Sequence, residues 1–372
     1  MRVDKTKWKS GTIDEYCIIQ LGTRIVRKDV DEGEFPVYGG GGATFTTSTY
    51  NRENAILISR FAISKECTRF VQGRFFLNDS GLTIIPKGDT LLFHYLKWHI
   101  FAINDKIYSL GKGVAQKNLD MKRFPFLLLN IPPIDEQQVI SSELNSIQTM
   151  IDGYNALLED LDALAQSIFM EMFGDPLDNP KGWKKDLLEN IVHSKCPISY
   201  GIVQPGEDEE NGIPVIRPVD LTSTYVSLNG LKKVSPSISN NYRRTILRGD
   251  EILLCVRGTT GIVSLATEEL KGCNVTRGIV PLYFDSQNRW FIYYCFKSSG
   301  INNEIQKHTK GATLKQINIG ELRRISFPIP PLHLQQQFAK QVEAIEKQKD
   351  LLREQLKDAE TLMAERMQYY FS

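Results

Sequence analysis

Displaced by 198 residues, the chain matches itself. IPPIDEQQ at 131–138 falls on IPPLHLQQ at 329–336, and the register holds without a gap on either side. Upstream, Lys112-Gly113 falls on Lys310-Gly311, Lys117 on Lys315 and Leu119 on Ile317. Downstream, Leu158 meets Leu356, Asp160 meets Asp358, Leu164 meets Leu362 and Phe173 meets Phe371. A self-match of this period restricts the available folds before any local reading begins. Two copies make a pseudo-dimer, because a solenoid needs more units than that.

After each proline pair the pattern turns helical. Ile140, Leu144, Ile147, Ile151, Tyr154, Leu158, Leu161, Ala165, Ile168 and Met172 step by alternating fours and threes. That is a coiled-coil seam, and it demands a helical partner. The second copy reads Phe338, Val342, Ile345, Lys349, Leu352, Leu356, Ala359, Met363, Arg366 and Tyr370. Its Lys349 and Arg366 are polar seam positions of the kind that fix register or orientation. Pro133 sets the backbone ahead of the first helix, and Asp135 with Gln138 reads as a capping box. His333 takes the place of Asp135 in the second copy. At 1.5 Å per residue the seam of each copy runs about 50 Å. The economical arrangement pairs the helices antiparallel within the chain; the alternatives are pairing between chains, or each helix packing on its own block.

Charge follows the same division. The formal net charge is only +1, yet residues 1–130 hold 19 basic and 13 acidic side chains, and residues 176–328 hold 20 and 15. Residues 131–175 contain nine carboxylates and no Lys or Arg, and residues 329–372 are nearly balanced. Two basic blocks between less basic connectors suit a polyanion that meets the blocks alone. Ordinary solvated faces are the plainer explanation. The chain, at 372 residues, is long enough for two domains with separate cores. No apolar run approaches a membrane span, and the basic N-terminus lacks the apolar stretch of a secretory signal. Six scattered cysteines without a CxxC read as reduced, buried thiols of a cytoplasmic protein.

The blocks share a skeleton of short β-branched runs bounded by Gly, Asn and Asp, so they read as strand-rich with some helix. Trp8 answers Trp183, FPVY (35–38) answers IPVI (213–216), and ENAILISR (53–60) answers DEILLCVR (250–257). Between these anchors the stretches diverge, as in GGGGATFTTSTY (39–50), VQGRFFLNDSG (71–81), RPVDLTSTYVS (217–227) and RGTTGIVSL (257–265). Differences in recognition accumulate in loops carried on a repeated scaffold.

Catalytic motifs fail one by one. GGGG at 39–42 is followed by neither Gly-Lys-Ser/Thr nor a helix start, so it is no P-loop. IPPI and IPPL lack the aromatic residue of an amino-methyltransferase motif. Glu269-Leu-Lys271 with Asp250 is a loose nuclease-like triplet of the sort chance supplies. His94, His99, His193, His308 and His333 suggest no relay.

Taken together, KGVAQKNL…NIPPIDEQQVI, KGATLKQI…FPIPPLHLQQQF, IPVIRPVDL and GDEILLCVRGTTG resemble the DNA-specificity subunits of Type I restriction–modification systems, over essentially the whole chain. The resemblance implies an α+β fold. Target-recognition domains at 1–130 and 176–328 would be joined by helical spacers at 131–175 and 329–372, paired as an antiparallel coiled coil. It implies no catalysis in this chain. Each recognition domain would read one half of a bipartite duplex target, while the helices set the spacing and dock two methyltransferase (M) subunits. Restriction/translocase (R) subunits would join through that core, and S-adenosylmethionine, ATP and Mg would belong to these partners. The family's Glu-Gln at the helix start is Glu136-Gln137 in the first copy but Leu334-Gln335 in the second. That departure makes the two ends unequal toward a methyltransferase.

Basic and hydroxyl side chains then become the expected DNA contacts. Arg60 and Arg257 read as equivalent strand ends. Lys112, Lys117, Lys310 and Lys315 are expected on phosphates, with Arg217 and Thr259 near bases. The rival readings are a coiled-coil scaffold that binds no DNA, and a magnesium nuclease built on Asp250, Glu269 and Lys271.

Overall fold

A computed structural model of the chain describes residues 3–114, 116–311 and 315–372. Two compact units emerge, one of residues 1–156 with 353–372 and the other of residues 157–352. Each unit therefore combines one strand-rich block with part of both long helices, Ile134–Phe173 and Leu332–Phe371. The helices start 198 residues apart. Asp135 and His333 lie inside their first turns, and the carbonyl of Pro133 takes the bond from Gln137 N–H (3.0 Å). The expected capping box is thus displaced: Asp135 instead adds negative charge where the helix dipole favours it.

In the first unit six strands form one sheet. Their order is Cys17–Leu21, Gly81–Pro86, Arg52–Ser59, Thr68–Leu77, Phe35–Gly39, Gly42–Thr47. Only Phe35–Gly39 runs parallel to its neighbour Thr68–Leu77. The inner strand Arg52–Ser59 is buried on both faces from Ala55 onward, which is why AILI reads as an unbroken apolar run. Ile56 and Ile58 enter the main core with the helix Phe93–Ala102 and with Ile140, Leu144, Tyr370 and Phe371 of the long helices. Ala55 and Leu57 point the other way, into a small cluster with Val71, Phe75 and Leu77. Here the long helices are also tied by polar bonds: Arg366 Nε bonds Glu143 Oε1 at 2.8 Å, and Tyr370 Oη donates to Glu143 Oε2.

The second unit splits its strands into two three-stranded sheets. One is Lys232–Val234, Ile213–Ile216, Asn274–Val275; the other is Val263–Leu265, Ile252–Cys255, Ile279–Leu282. At the FPVY and IPVI strands the bonding nevertheless repeats. Val37 pairs in parallel with Phe76 as Val215 does with Asn274, and Tyr38 O accepts from Asn78 N–H as Ile216 O does from Thr276 N–H. Short antiparallel pairs, Lys9–Thr12 with Leu128–Ile131 and Lys185–Leu187 with Ser326–Pro328, tie the start of each block to its end.

Most of the predicted seam is covered. Ile140, Leu144, Ile147, Val342 and Ile345 are buried, while Ile151, Leu158, Leu161, Leu352 and Leu356 are half-buried. At the far end of the first helix the pattern slips by one residue. Phe169 and Phe173 are the fully buried positions, and Ile168 and Met172 are only half-buried. An α-helix drifts against a strict heptad, and here its broad face enters an aromatic core with Phe291, Tyr294 and Phe338. Lys349 is buried in the same unit, 2.7 Å from both Asp162 and Glu346. All six cysteines are buried free thiols. Among the described residues no helix is long and apolar enough to cross a membrane.

Candidate nucleic-acid interface

The repeated glutamine forms the joint between block and helix. Gln137 is buried; its Nε2 donates to Pro132 O (2.8 Å) and Thr90 O (2.9 Å), and its Oε1 accepts from Leu92 N–H (2.8 Å). Gln335 repeats this with Pro330 O (2.8 Å), Gln287 Oε1 (2.8 Å) and Asn288 N–H (2.9 Å). In both units the side chain straps the residues ahead of a block helix (Phe93–Ala102 or Arg289–Lys297) to the entry of a long helix. Trp8 Nε1 donates to Glu136 Oε2 at 2.9 Å. Its counterpart Trp183 Nε1 is buried without a partner among the described residues, and Leu334 stands where an acceptor would be. Glu136 and Gln137 are thus engaged inside their own unit, where the resemblance implied a surface for a methyltransferase.

The Lys-Gly segments are β-hairpins. Gly111–Lys112 pairs with Asn118–Leu119, and Thr309–Lys310 with Gln316–Ile317. Gly113 and Gly311 sit at φ +121° and +117°. A Cβ on Gly113 would lie 2.2 Å from Gln116 O, so both conformation and space require glycine. Lys112, Lys117, Lys310 and Lys315 are all exposed. Lys112 Nζ lies 2.6 Å from Asp120 Oδ2, a bond that holds the Asp120 carboxyl below the usual carboxylate range. Lys117 Nζ stands 4.4 Å above the Tyr108 ring. Lys310 and Lys315 have no ion pair among the described residues.

Each hairpin is bonded to the end of the block's central strand, and those bonds correct one sequence equivalence. Leu119 N–H donates to Arg60 O (2.8 Å), whereas Ile317 N–H donates to Val256 O (3.1 Å). Arg60 N–H donates to Ser80 O, and Val256 N–H to Gly278 O, both at 2.8 Å. Arg60 therefore corresponds to Val256, and Arg257 to Phe61. One residue of slip turns a strand side chain to the opposite face. Arg60 accordingly folds back on its own unit, with Nη1 donating to Asp79 O (2.9 Å), its guanidinium 4.9 Å from the Phe61 ring centre and its Nε buried without a partner among the described residues. Arg257 is half-exposed and its backbone bridges to Gln316.

A second arginine joins Arg60, one that the sequence pattern did not mark. The glycine turn at 39–42 accepts from Ser59 Oγ (2.7 Å) and from Arg69 Nη2 (2.9 Å), both at Gly40 O, and Gly40 N–H donates to Ser80 Oγ (2.9 Å). The same network reaches the lysine hairpin, since Ile63 N–H donates to Lys117 O (2.9 Å) and Ala62 N–H to Asn118 Oδ1 (3.2 Å). Neither Arg60 nor Arg69 has a carboxylate partner among the described residues. Two half-buried guanidiniums beside a glycine turn and a lysine hairpin offer fixed donors and net positive charge to a phosphodiester. Arg69 was not legible because it lies at the start of the strand Thr68–Leu77, outside any motif.

In the second unit Arg217 is held by Asp220, with Nε–Oδ2 at 3.1 Å and Nη2–Oδ1 at 2.9 Å. Thr259 is exposed on the lip of a cleft of about 570 Å³ lined by hydroxyls of Thr222, Ser223, Thr224 and Thr260, with Lys297. Lys271 is bonded to Glu268 (2.7 Å), not to Glu269. Among the described residues no group of three or more His, Cys, Asp or Glu side chains could hold a metal ion.

The fold and these repeated sites define a class. The family model of the Type I restriction modification DNA specificity domain matches residues 5–162 and 180–361, and the chain belongs to that family. Among its relatives is the Type I restriction enzyme EcoBI specificity subunit of Escherichia coli, 26% identical over 292 residues, covering 72% of this chain and 60% of that protein. A putative MjaX specificity subunit of Methanocaldococcus jannaschii is 23% identical over 293 residues, covering 73% and 63%. The chain thus spans about 60% of the length of these curated relatives. Among solved structures, a Type-I system S subunit from M. genitalium aligns over 100% of this chain and 98% of its own, with a TM-score of 0.62 at 16% identity. A chain from a structure concerned with complex assembly and conformational transition of the type I R-M system aligns over 100% and 99%, with a TM-score of 0.54 at 17% identity. These likenesses establish a shared mixed α/β fold.

Proposed function

We propose that this chain is the DNA-specificity subunit of a Type I restriction–modification complex, with each block reading one half of a bipartite duplex target. The observation that carries this reading is a joint and a lysine hairpin conserved between the copies, while the loops around them differ. A repeated reader with unlike loops reads two unlike half-sites at a fixed separation. The long helices serve as an antiparallel coiled-coil spacer and as the surface for two methyltransferase subunits, with restriction/translocase subunits joining that core. The chain itself does no chemistry, and S-adenosylmethionine, ATP and Mg act on the partner subunits. The setting is the cytoplasm. Phosphate contacts position the complex, and base edges read from the loops specify the sequence.

The test is duplex binding by this chain assembled with its methyltransferase partner, measured across a salt series. The proposal expects binding that weakens steeply with salt and no DNA cleavage by the chain with magnesium alone. Salt-insensitive behaviour, or no duplex binding, favours a protein scaffold; cleavage by the isolated chain favours a nuclease.

A further inference from the structure

We infer that the two lysine hairpins grip the DNA backbone unequally: Lys310 and Lys315 both act as free phosphate contacts, whereas Asp120 cancels Lys112 and leaves Lys117 to act alone. This rests on the DNA-reading function proposed above and assigns its electrostatics residue by residue.

The difference lies in a single repeat position. Asp120 and Asn318 are 198 residues apart, so they occupy the same place beside the two hairpins. Asp120 is buried (7% exposed), and its Oδ1 is fixed by Lys122 N–H at 3.0 Å, which leaves Oδ2 facing Lys112 Nζ at 2.6 Å. A carboxylate anchored by the backbone cannot swing away when a phosphate approaches, and the pair carries no net charge to release a counterion. Asn318 is exposed and uncharged. The carboxylates nearest in sequence are occupied elsewhere. Glu304 meets Lys307 (3.1 Å) and His308 (3.2 Å), and Glu321 meets His308 (3.2 Å). Lys310 therefore keeps its full charge at the hairpin surface.

Each phosphate neutralised by a cation adds about 0.9 to the slope of log K against log salt. The probe is a duplex of arbitrary sequence, because phosphate contacts are independent of base identity. Bound to the assembled complex, Asp120→Asn frees Lys112 and should steepen the slope by about 0.9, or roughly a further threefold loss over a fourfold rise in salt. Asparagine keeps the acceptor for Lys122 N–H, so the turn survives. Asn318→Asp should flatten the slope by a similar amount. Lys310→Met should do the same, while the neutral double change Lys112→Met with Asp120→Asn should leave the slope unaltered. Equal slopes for wild type, Asp120→Asn and Asn318→Asp would overturn the inference while leaving the DNA-reading function standing. A wild-type complex that fails to bind the duplex overturns both.

Discussion

Replacing Gln137 with leucine removes three hydrogen bonds from the first joint while nearly keeping its volume. Pro132 O is buried and Leu92 N–H half-buried, so leucine leaves both without a partner, whereas Thr90 lies at the surface and its carbonyl rehydrates. An unsatisfied buried group costs about 1–3 kcal/mol, so two give roughly 2–6 kcal/mol. The newly buried methyl groups return about 1 kcal/mol, leaving a net loss of roughly 1–5 kcal/mol. Gln335→Leu strips the second joint of its bonds to Pro330 O, Gln287 and Asn288 N–H. Asn288 also caps the helix Arg289–Lys297 with its side chain, so that helix start should loosen as well. Hydrogen exchange read peptide by peptide separates the outcomes. Gln137→Leu should lower protection in residues 1–156 and 353–372 and spare the second unit, and Gln335→Leu should do the reverse. A loss below about 1 kcal/mol, or one spread evenly over both units, would refute the assignment of a separate joint to each.

Further outcomes follow from other buried groups. His99 is buried, its Nε2 accepts from Asn130 N–H at 2.8 Å and its Nδ1 has no partner among the described residues, so burial pushes its pKa from 6.5 to about 4. Between those values only the unfolded chain takes the proton, so stability should fall by roughly 3 kcal/mol as pH drops from 6.5 to 4. His99→Gln, which keeps an acceptor, should flatten that part of a melting-temperature profile. Lys349→Met removes the cation that lies 2.7 Å from both the buried Glu346 and the more exposed Asp162, and should weaken the second unit by about 2–4 kcal/mol in urea unfolding. Arg69→Gln should weaken duplex binding by about 1–2 kcal/mol in a gel-shift assay of the complex; unchanged affinity would confine Arg69 to holding Gly40.

The fold was legible where one physical demand dominates a stretch. The 198-residue match located both joints, since a buried glutamine with three bonds has no substitute, and both hairpins, since Gly113 and Gly311 need a backbone closed to other residues. The heptad pattern identified the long helices. It missed Phe169 and Phe173, because the helix leaves the regime of a narrow seam and enters a globular core. Matching ISR to CVR placed Arg60 on Arg257, yet the hydrogen bonds of Leu119 and Ile317 set the register one residue away. Arg69 was invisible for another reason: its role comes from a turn some thirty residues distant in sequence, brought close only by the sheet. The six-stranded sheet and the paired three-stranded sheets likewise depend on loops that carry no repeat signal.

Exchanging one reading block probes the proposed division of labour at its root. Residues 176–328 would be replaced by the matching segment of a relative, and modified bases mapped across the genome of cells carrying the complete system. One half of the recognised sequence should change, while the other half stays as in the wild type. A change in both halves, or in neither, would contradict the reading of one half-site by each block.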